Sequence, residues 1–456
     1  MVEGRRVREE AALSRTPNAE LSRPSLIRAL GVWTLAASIF NLVVGGGIFR
    51  APALAVAMLG PAAPIAYLVC ALAMGLIVLC FAEAGSRVGR TGGPYAYVEI
   101  VFGPFVGFLA GVLVWFVGTL ALAAVASLLA GNIASAVPAL GTVVGHVTTL
   151  VVLFAVLALV NIRGVRDGTR LVSVATVAKL LPLLVLVTLG LPAINSANLV
   201  ITDMPAPASL ARASIVLIFI FAGIESALVP SGEVKMPART VPRAIAIAMI
   251  GVTVLYLAIQ LTAQGIVGPA IATSTVPLAD AAGAALGSWG RTLLITGATI
   301  SMFGYVSGMT LAIPRALFAF AENGVLPKQL AAVHPRYRTP YVAIAVQSAL
   351  VCVLSIWTSF EKLAVIANLS ALLLYLACVA AAWELRRRNV KTGEGTPLRL
   401  PFGPLVHLLT VAVIGYLLTS ITPREWALVG SVLLAAAVLF AISLRRRRAV
   451  PARTAG

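Results

Sequence analysis

The sequence predicts an all-α integral membrane protein with twelve transmembrane helices, and three observations predict it. The 456-residue chain is 60% hydrophobic and 11% charged, with a mean hydropathy of +1.00, whereas soluble domains are apolar over about half their residues. Twelve apolar runs approach the roughly 20 residues that cross about 30 Å of hydrocarbon. Lysines and arginines gather in alternate connections between those runs, the pattern that membrane insertion imposes on a polytopic chain.

The runs lie near Leu30–Met58, Pro61–Ala84, Tyr97–Ala130, His146–Ile162, Leu171–Leu191, Leu210–Pro230, Val241–Gly265, Thr292–Phe320, Pro340–Trp357, Leu363–Trp383, Leu405–Ser420 and Trp426–Leu444. With the amino terminus in the cytoplasm, the inner connections carry Arg87 and Arg90, then Arg163, Arg166 and Arg170, then Lys235, Arg239 and Arg243. They continue with Lys328, Arg336 and Arg338, with Arg386, Arg387, Arg388, Lys391 and Arg399, and end at Arg445–Arg448. The outer connections hold only Arg212, Arg291, Lys362 and Arg424. A missed span would invert this pattern downstream, so twelve spans with both termini cytoplasmic are expected. Residues 1–28 lack the apolar core and cleavage site of a signal peptide and are expected to form a cytoplasmic tail. Spans 1–5 then occupy 29–191, spans 6–10 occupy 208–383, spans 11 and 12 occupy 404–444, and 445–456 form a basic tail.

Several function classes are excluded at this level. Cys70, Cys80, Cys352 and Cys378 all sit inside apolar runs, unpaired in spacing and without clustered histidines, so neither a disulfide framework nor a metal site is expected. No cofactor is implied. The formal charge of +18 is accounted for by the inner connections, and nucleic acid is not an expected partner. The connections are short and hold no nucleophile–base constellation, which argues against a membrane enzyme. The tails are too short for a signalling domain, which argues against a receptor or sensor.

Span 1 places Gly45, Gly46 and Gly47 at mid-membrane, after Val43 and Val44. Each glycine costs about 1 kcal/mol relative to alanine inside a helix. Such a cluster either allows close helix packing or unwinds the helix so that its amides and carbonyls line a cavity. Span 6 favours unwinding, because Phe219, Ile220, Phe221, Ala222, Gly223, Ile224 and Glu225 again set a glycine at mid-span, beside an acid. Paired interruptions at corresponding places in two five-helix halves point to an inverted-repeat transporter with its site at the bilayer midplane. The half-helix that starts after each break offers free N–H groups to a carboxylate. The half-helix that ends there offers carbonyls to an ammonium group.

These motifs resemble the amino acid–polyamine–organocation superfamily. The likeness extends to Phe81–Ala82–Glu83, to Gly92–Gly93–Pro94–Tyr95–Ala96–Tyr97 and to Phe102–Gly103–Pro104. It also includes Glu233, Lys235, Pro237, Arg239, Val241 and Pro242, and Asn323–Gly324–Val325–Leu326–Pro327. The resemblance implies the five-plus-five inverted-repeat fold of the sodium-coupled leucine transporter, with spans 1 and 6 discontinuous and two carboxyl-terminal helices added. It implies that Gly45, Gly46 and Gly47 give amides to a substrate carboxylate, and that the carbonyls of Val43, Phe219 and Ala222 receive its amine. Val44, Gly223 and Ile224 complete the expected site, and Phe219 stands where relatives carry an aromatic lid. Where the family commonly has serine, this chain has Gly46, which leaves backbone donors only.

Lys179 lies well inside span 5, where an ammonium group is expensive and functional by default, the alternative being a side chain that reaches back to the inner face. By resemblance Lys179 matches a lysine that replaces sodium in sodium-independent relatives and contacts the span 1 break. Sodium-independent transport is therefore expected, driven by a proton gradient or by exchange. Glu225 either senses protons or bonds the unwound backbone. Ser301 either approaches the cation site or bonds its own helix. Glu83 is expected to partner arginines or loop amides, and Arg50 to line an outer vestibule or meet an acid. An L-amino acid is the expected cargo. A polyamine, the alternative, would need several acids at the site, and the spans offer few. Residues 131–145 contain no cysteine, so a disulfide-linked glycoprotein partner is not expected.

Overall fold

The computed structural model describes residues 31–88, 94–163, 168–223, 234, 236–390, 397–400 and 402–449. Helix dominates, and no strand forms among the described residues. The first run contains α1 (Val32–Val43), a 3₁₀ turn (Gly46–Phe49) and α2 (Ala51–Leu59). Then follow α3 (Ala63–Arg87), α4 (Pro94–Ala136), α5 (Val143–Arg163), α6 (Gly168–Leu189) and α7 (Pro207–Phe221). The second half holds α8 (Pro237–Val267), α9 (Pro277–Leu286), α10 (Ser288–Ala312), α11 (Pro314–Glu322), α12 (Tyr341–Trp357) and α13 (Phe360–Arg387). The chain closes with α14 (Gly403–Leu418) and α15 (Pro423–Ala449). Among the described residues seven helical stretches are long and apolar enough to cross a membrane, which together with the composition makes this an integral membrane protein of helices.

Local sequence explains the interruptions. In α4, Gly103 adopts φ 82° and ψ 179° immediately before Pro104. Only glycine takes that conformation readily, and proline cannot continue the hydrogen-bond ladder, so a short leading segment is set off from the span proper. Pro314 likewise divides α10 from α11. The connection after α8, expected to be a loop, contains α9; Pro277 at its start, Asp280 in its first turn and Gly287 (φ 77°) after its end are the sequence signals for it.

The helices sort by burial. The apolar window of α13 is 72% buried whereas that of α15 is 17% buried, so α13 is central and α15 peripheral. The most extensive helix interface joins α4 to α13, and α8 packs against both α1 and α3. These contacts bring α1, α4, α7, α10 and α13 around one internal space.

Candidate functional site: a cavity between two helix ends

The chain leaves helical geometry after Val43. Val44 takes φ −71° and ψ 82°, Gly45 is extended at φ −100° and ψ −166°, and a 3₁₀ turn then starts at Gly46. A turn that begins there leaves the Gly46 and Gly47 amides with no acceptor inside the turn. The last ordinary bond of α1 comes from Val44 N, and the carbonyls beyond Phe40 find other partners. Phe40 O accepts from Val44 N at 3.0 Å, and Val43 O accepts from Gly45 N at 2.7 Å. Asn41 O accepts from the ammonium group of Lys179.

α7 ends at Phe221, with Ala222 extended and Gly223 at φ 115°. The two ends touch. A Cβ on Gly223 would lie 3.2 Å from Leu42 O, and one on Gly47 would lie 3.0 Å from the Phe219 ring. A Cβ on Gly46 would come within 2.9 Å of Met302 and 3.0 Å of Val125, so neighbouring side chains already fill the space a serine would enter. Ile224 and Glu225 lie outside the described residues, as does the remainder of the run to Pro230.

Tyr256 of α8, which sequence reasoning missed, joins the two ends. Its fully buried hydroxyl lies 2.9 Å from Val43 O and 2.8 Å from Ile220 O, so one proton is shared between carbonyls from both interrupted runs. The available signal was a tyrosine at mid-span, whose hydroxyl must find an acceptor when buried. With bonds from Tyr256 and Gly45, the two lone pairs of Val43 O are both engaged.

Lys179 is 9% exposed and reaches across from α6 to α1. Its bond to Asn41 O puts a positive charge at the carbonyl end of a half-helix, where the dipole favours it. Ser301 is buried in α10 beside Met302.

A cavity of about 390 Å³ lies against these ends, lined by Leu42, Val43, Gly45, Gly46, Gly47, Phe219, Ile220, Ala222 and Gly223. Its opposite walls come from α4, α10, α11 and α13, including Trp115, Gly118, Tyr305, Met309, Ile313 and Asn368. No charged side chain lines it among the described residues. The Asn368 side chain donates from Nδ2 to Ile215 O at 2.6 Å. At one end the lining residues Val114 and Ala312 are exposed. Towards the other end Ile48, Phe49 and Phe360 are buried, and Phe219 meets Phe360 edge-on at 5.3 Å. Beyond that contact, Arg50 donates to Ser274 O and faces Glu361 at 3.8 Å. Ser274 in turn bonds Asp280, which pairs with Arg291.

Glu83 lies away from the cavity. It is fully buried and pairs with Arg87 at 3.2 Å and Arg386 at 3.3 Å. Asp280, paired with Arg291, is also absent from the lining.

A polytopic helical protein in which the ends of two helices meet at a small internal cavity has an architecture suited to a membrane transporter. The chain belongs to the amino acid permease family, whose profile matches residues 30–443. It is 29% identical over 405 residues to the serine/threonine exchanger SteT of Bacillus subtilis, covering 85% of this chain and 89% of that protein. It is 26% identical to the methylthioribose transporter of Bacillus subtilis over 431 residues, 90% of this chain and 92% of that protein. It is 30% identical to an uncharacterized transporter of Mycobacterium tuberculosis over 429 residues, 93% of each chain.

Proposed function

We propose that this protein is a sodium-independent secondary transporter of a neutral L-amino acid, working by alternating access. The observation that carries the reading is the cavity at the two helix ends. The amides at Gly46 and Gly47 suit a carboxylate. Phe219 O and Ala222 O suit the α-amine, since Val43 O already has two partners. The remaining walls are mostly apolar and carry no charge among the described residues, which favours a neutral side chain over a polyamine. A polycation would meet no acid among the described lining residues. The likeness to SteT, a serine/threonine exchanger, supports amino acid exchange as the mode of transport.

Lys179 acts in this reading as a built-in cation. Its ammonium on Asn41 O supplies positive charge at the end of α1 without a bound sodium ion. The charge alternation supports twelve spans with both termini in the cytoplasm, residues 29–191 and 208–383 forming the two halves. On that orientation the Val114–Ala312 end of the cavity faces the cytoplasm and the Arg50 end faces outward, so the conformation is open to the inside. Substrate leaves by that path. Reopening outward requires Phe219 to part from Phe360 and Arg50 from Glu361 and Ser274.

Uptake by purified protein in liposomes tests the reading, using amino acids, polyamines and methylthioribose with and without sodium, a pH gradient and preloaded substrate. Exchange or proton-driven uptake of neutral amino acids that ignores sodium is expected. Strict sodium dependence would remove the role given to Lys179, and polyamine-only uptake would overturn the cargo.

A further inference from the structure

Trp115 of α4 lines the cavity, and a polar residue from outside the cavity holds it. The indole Nε1–H donates to Gln347 Oε1 at 3.0 Å, and Gln347 Nε2 donates to Thr119 Oγ1 at 3.0 Å. The Thr119 hydroxyl donates to Trp115 O at 2.8 Å. The three bonds form a closed ring in which every donor has a distinct acceptor. The amide can face only one way: an indole nitrogen is a donor and nothing else, so Gln347 must turn its oxygen to Trp115 and its nitrogen to the hydroxyl.

Gln347 belongs to α12, which contributes no residue to the cavity lining. It is completely buried, and a buried primary amide is costly unless both ends are bonded. Packing between α12 and α4 has no need of it, since Ser355 of α12 already bonds Ala123 O of α4 at 3.0 Å. What Gln347 adds is a fixed rotamer for the largest side chain in the cavity wall. Beside that indole the wall is tight. A Cβ on Gly118 would come within 3.2 Å of the Ile313 Cδ1 methyl, so the α4 backbone and the Ile313 side chain are already closely packed there.

We infer that Trp115 sets the size of substrate side chain the cavity admits, and that Gln347 is the positioning residue that holds it there. The inference rests on the amino acid reading above. A free indole would swing between rotamers and let larger side chains in; a pinned one presents a constant wall.

Inhibition constants for alanine, leucine and phenylalanine test this with the wild type, Gln347→Met, Gln347→Glu, Trp115→Phe and the Trp115→Phe/Gln347→Met pair in liposomes, folding being followed by melting in detergent. Gln347→Met keeps volume but strands the indole N–H, and the phenylalanine-to-alanine ratio is expected to move about tenfold towards phenylalanine. Gln347→Glu, neutral and isosteric at that depth, is expected to hold the ratio within about twofold of wild type. On a Trp115→Phe background Gln347→Met is expected to add less than about twofold, because no indole N–H remains to be stranded. If Gln347→Met does not fold, Trp115→Phe reads the same ratio. An unchanged ratio, with transport slowed equally for all three amino acids, would overturn the inference and leave Gln347 as a pin between helices. A wild type that recognises none of the three would overturn the amino acid reading as well.

Discussion

Glu83 and Lys179 are both ionisable residues carried by apolar helices, yet the structure treats them in opposite ways. Glu83 is fully buried with two arginines, Arg87 at 3.2 Å and Arg386 at 3.3 Å. Lys179 is 9% exposed, and its ammonium group donates to a backbone carbonyl, Asn41 O. In the first case one carboxylate bridges two guanidinium groups and ties α3 to α13. In the second an ammonium group meets no carboxylate among the described residues and sits where a transmembrane helix stops. Charge inside a membrane is costly unless paired, so the proposed role of Lys179 in transport and the tie made by the Glu83 cluster predict different responses to substitution.

The contrast breaks most readily at Glu83. Glu83→Ala leaves Arg87, only 1% exposed, without its carboxylate, and losing one partner of a buried pair costs about 3–5 kcal/mol. Yield and melting temperature in detergent are both expected to fall sharply. Unchanged melting would mean that the cluster is not a structural tie.

Lys179→Met sharpens the other side. It removes the desolvation cost of the ammonium group and strands only one carbonyl, so melting is expected to change far less than in Glu83→Ala. Transport is expected to fall at least about tenfold, equivalent to roughly 1.4 kcal/mol. Lys179→Arg is not expected to restore it, because a planar fork does not replace a compact ammonium at a single carbonyl. Equal loss of stability in the Glu83 and Lys179 variants would dissolve the distinction.

How much of this was legible in the sequence follows from the range of the interactions. The breaks could be read because their cause is local: three glycines in a row at 45–47, and Gly223 in the second run. Lys179 could be flagged because charge in an apolar run is conspicuous, and the family resemblance supplied its contact with the break. The Tyr256 hydroxyl could not be assigned, since it bonds a carbonyl 213 positions away in the chain. Gln347 escaped for the same reason, being 232 positions from Trp115. The same distinction explains Gly46. The departure from serine is visible in sequence, but Met302 and Val125 crowding the vacant Cβ position are not.

Arg50 gives the smallest expected effect and the finest test, because it lies between the two extremes. Like Glu83 it has a counter-charge, Glu361, but the pair is 3.8 Å apart with side chains 20% and 35% exposed. Water screens such a pair, and its contribution to stability is at most about 1 kcal/mol. Arg50→Ala should therefore barely alter melting. Its effect should appear in access to the cavity, because the guanidinium also holds Ser274 O across the closed end. A cysteine introduced by Ala364→Cys, at a fully buried position one turn from Glu361, should react several-fold faster with a membrane-impermeant maleimide once Arg50 is removed. High salt should produce part of the same acceleration in the presence of Arg50, since screening weakens an exposed pair and leaves the carbonyl bond largely intact. Equal labelling rates would assign closure to the Phe219–Phe360 contact, and the charges at that end would be its surface rather than its latch.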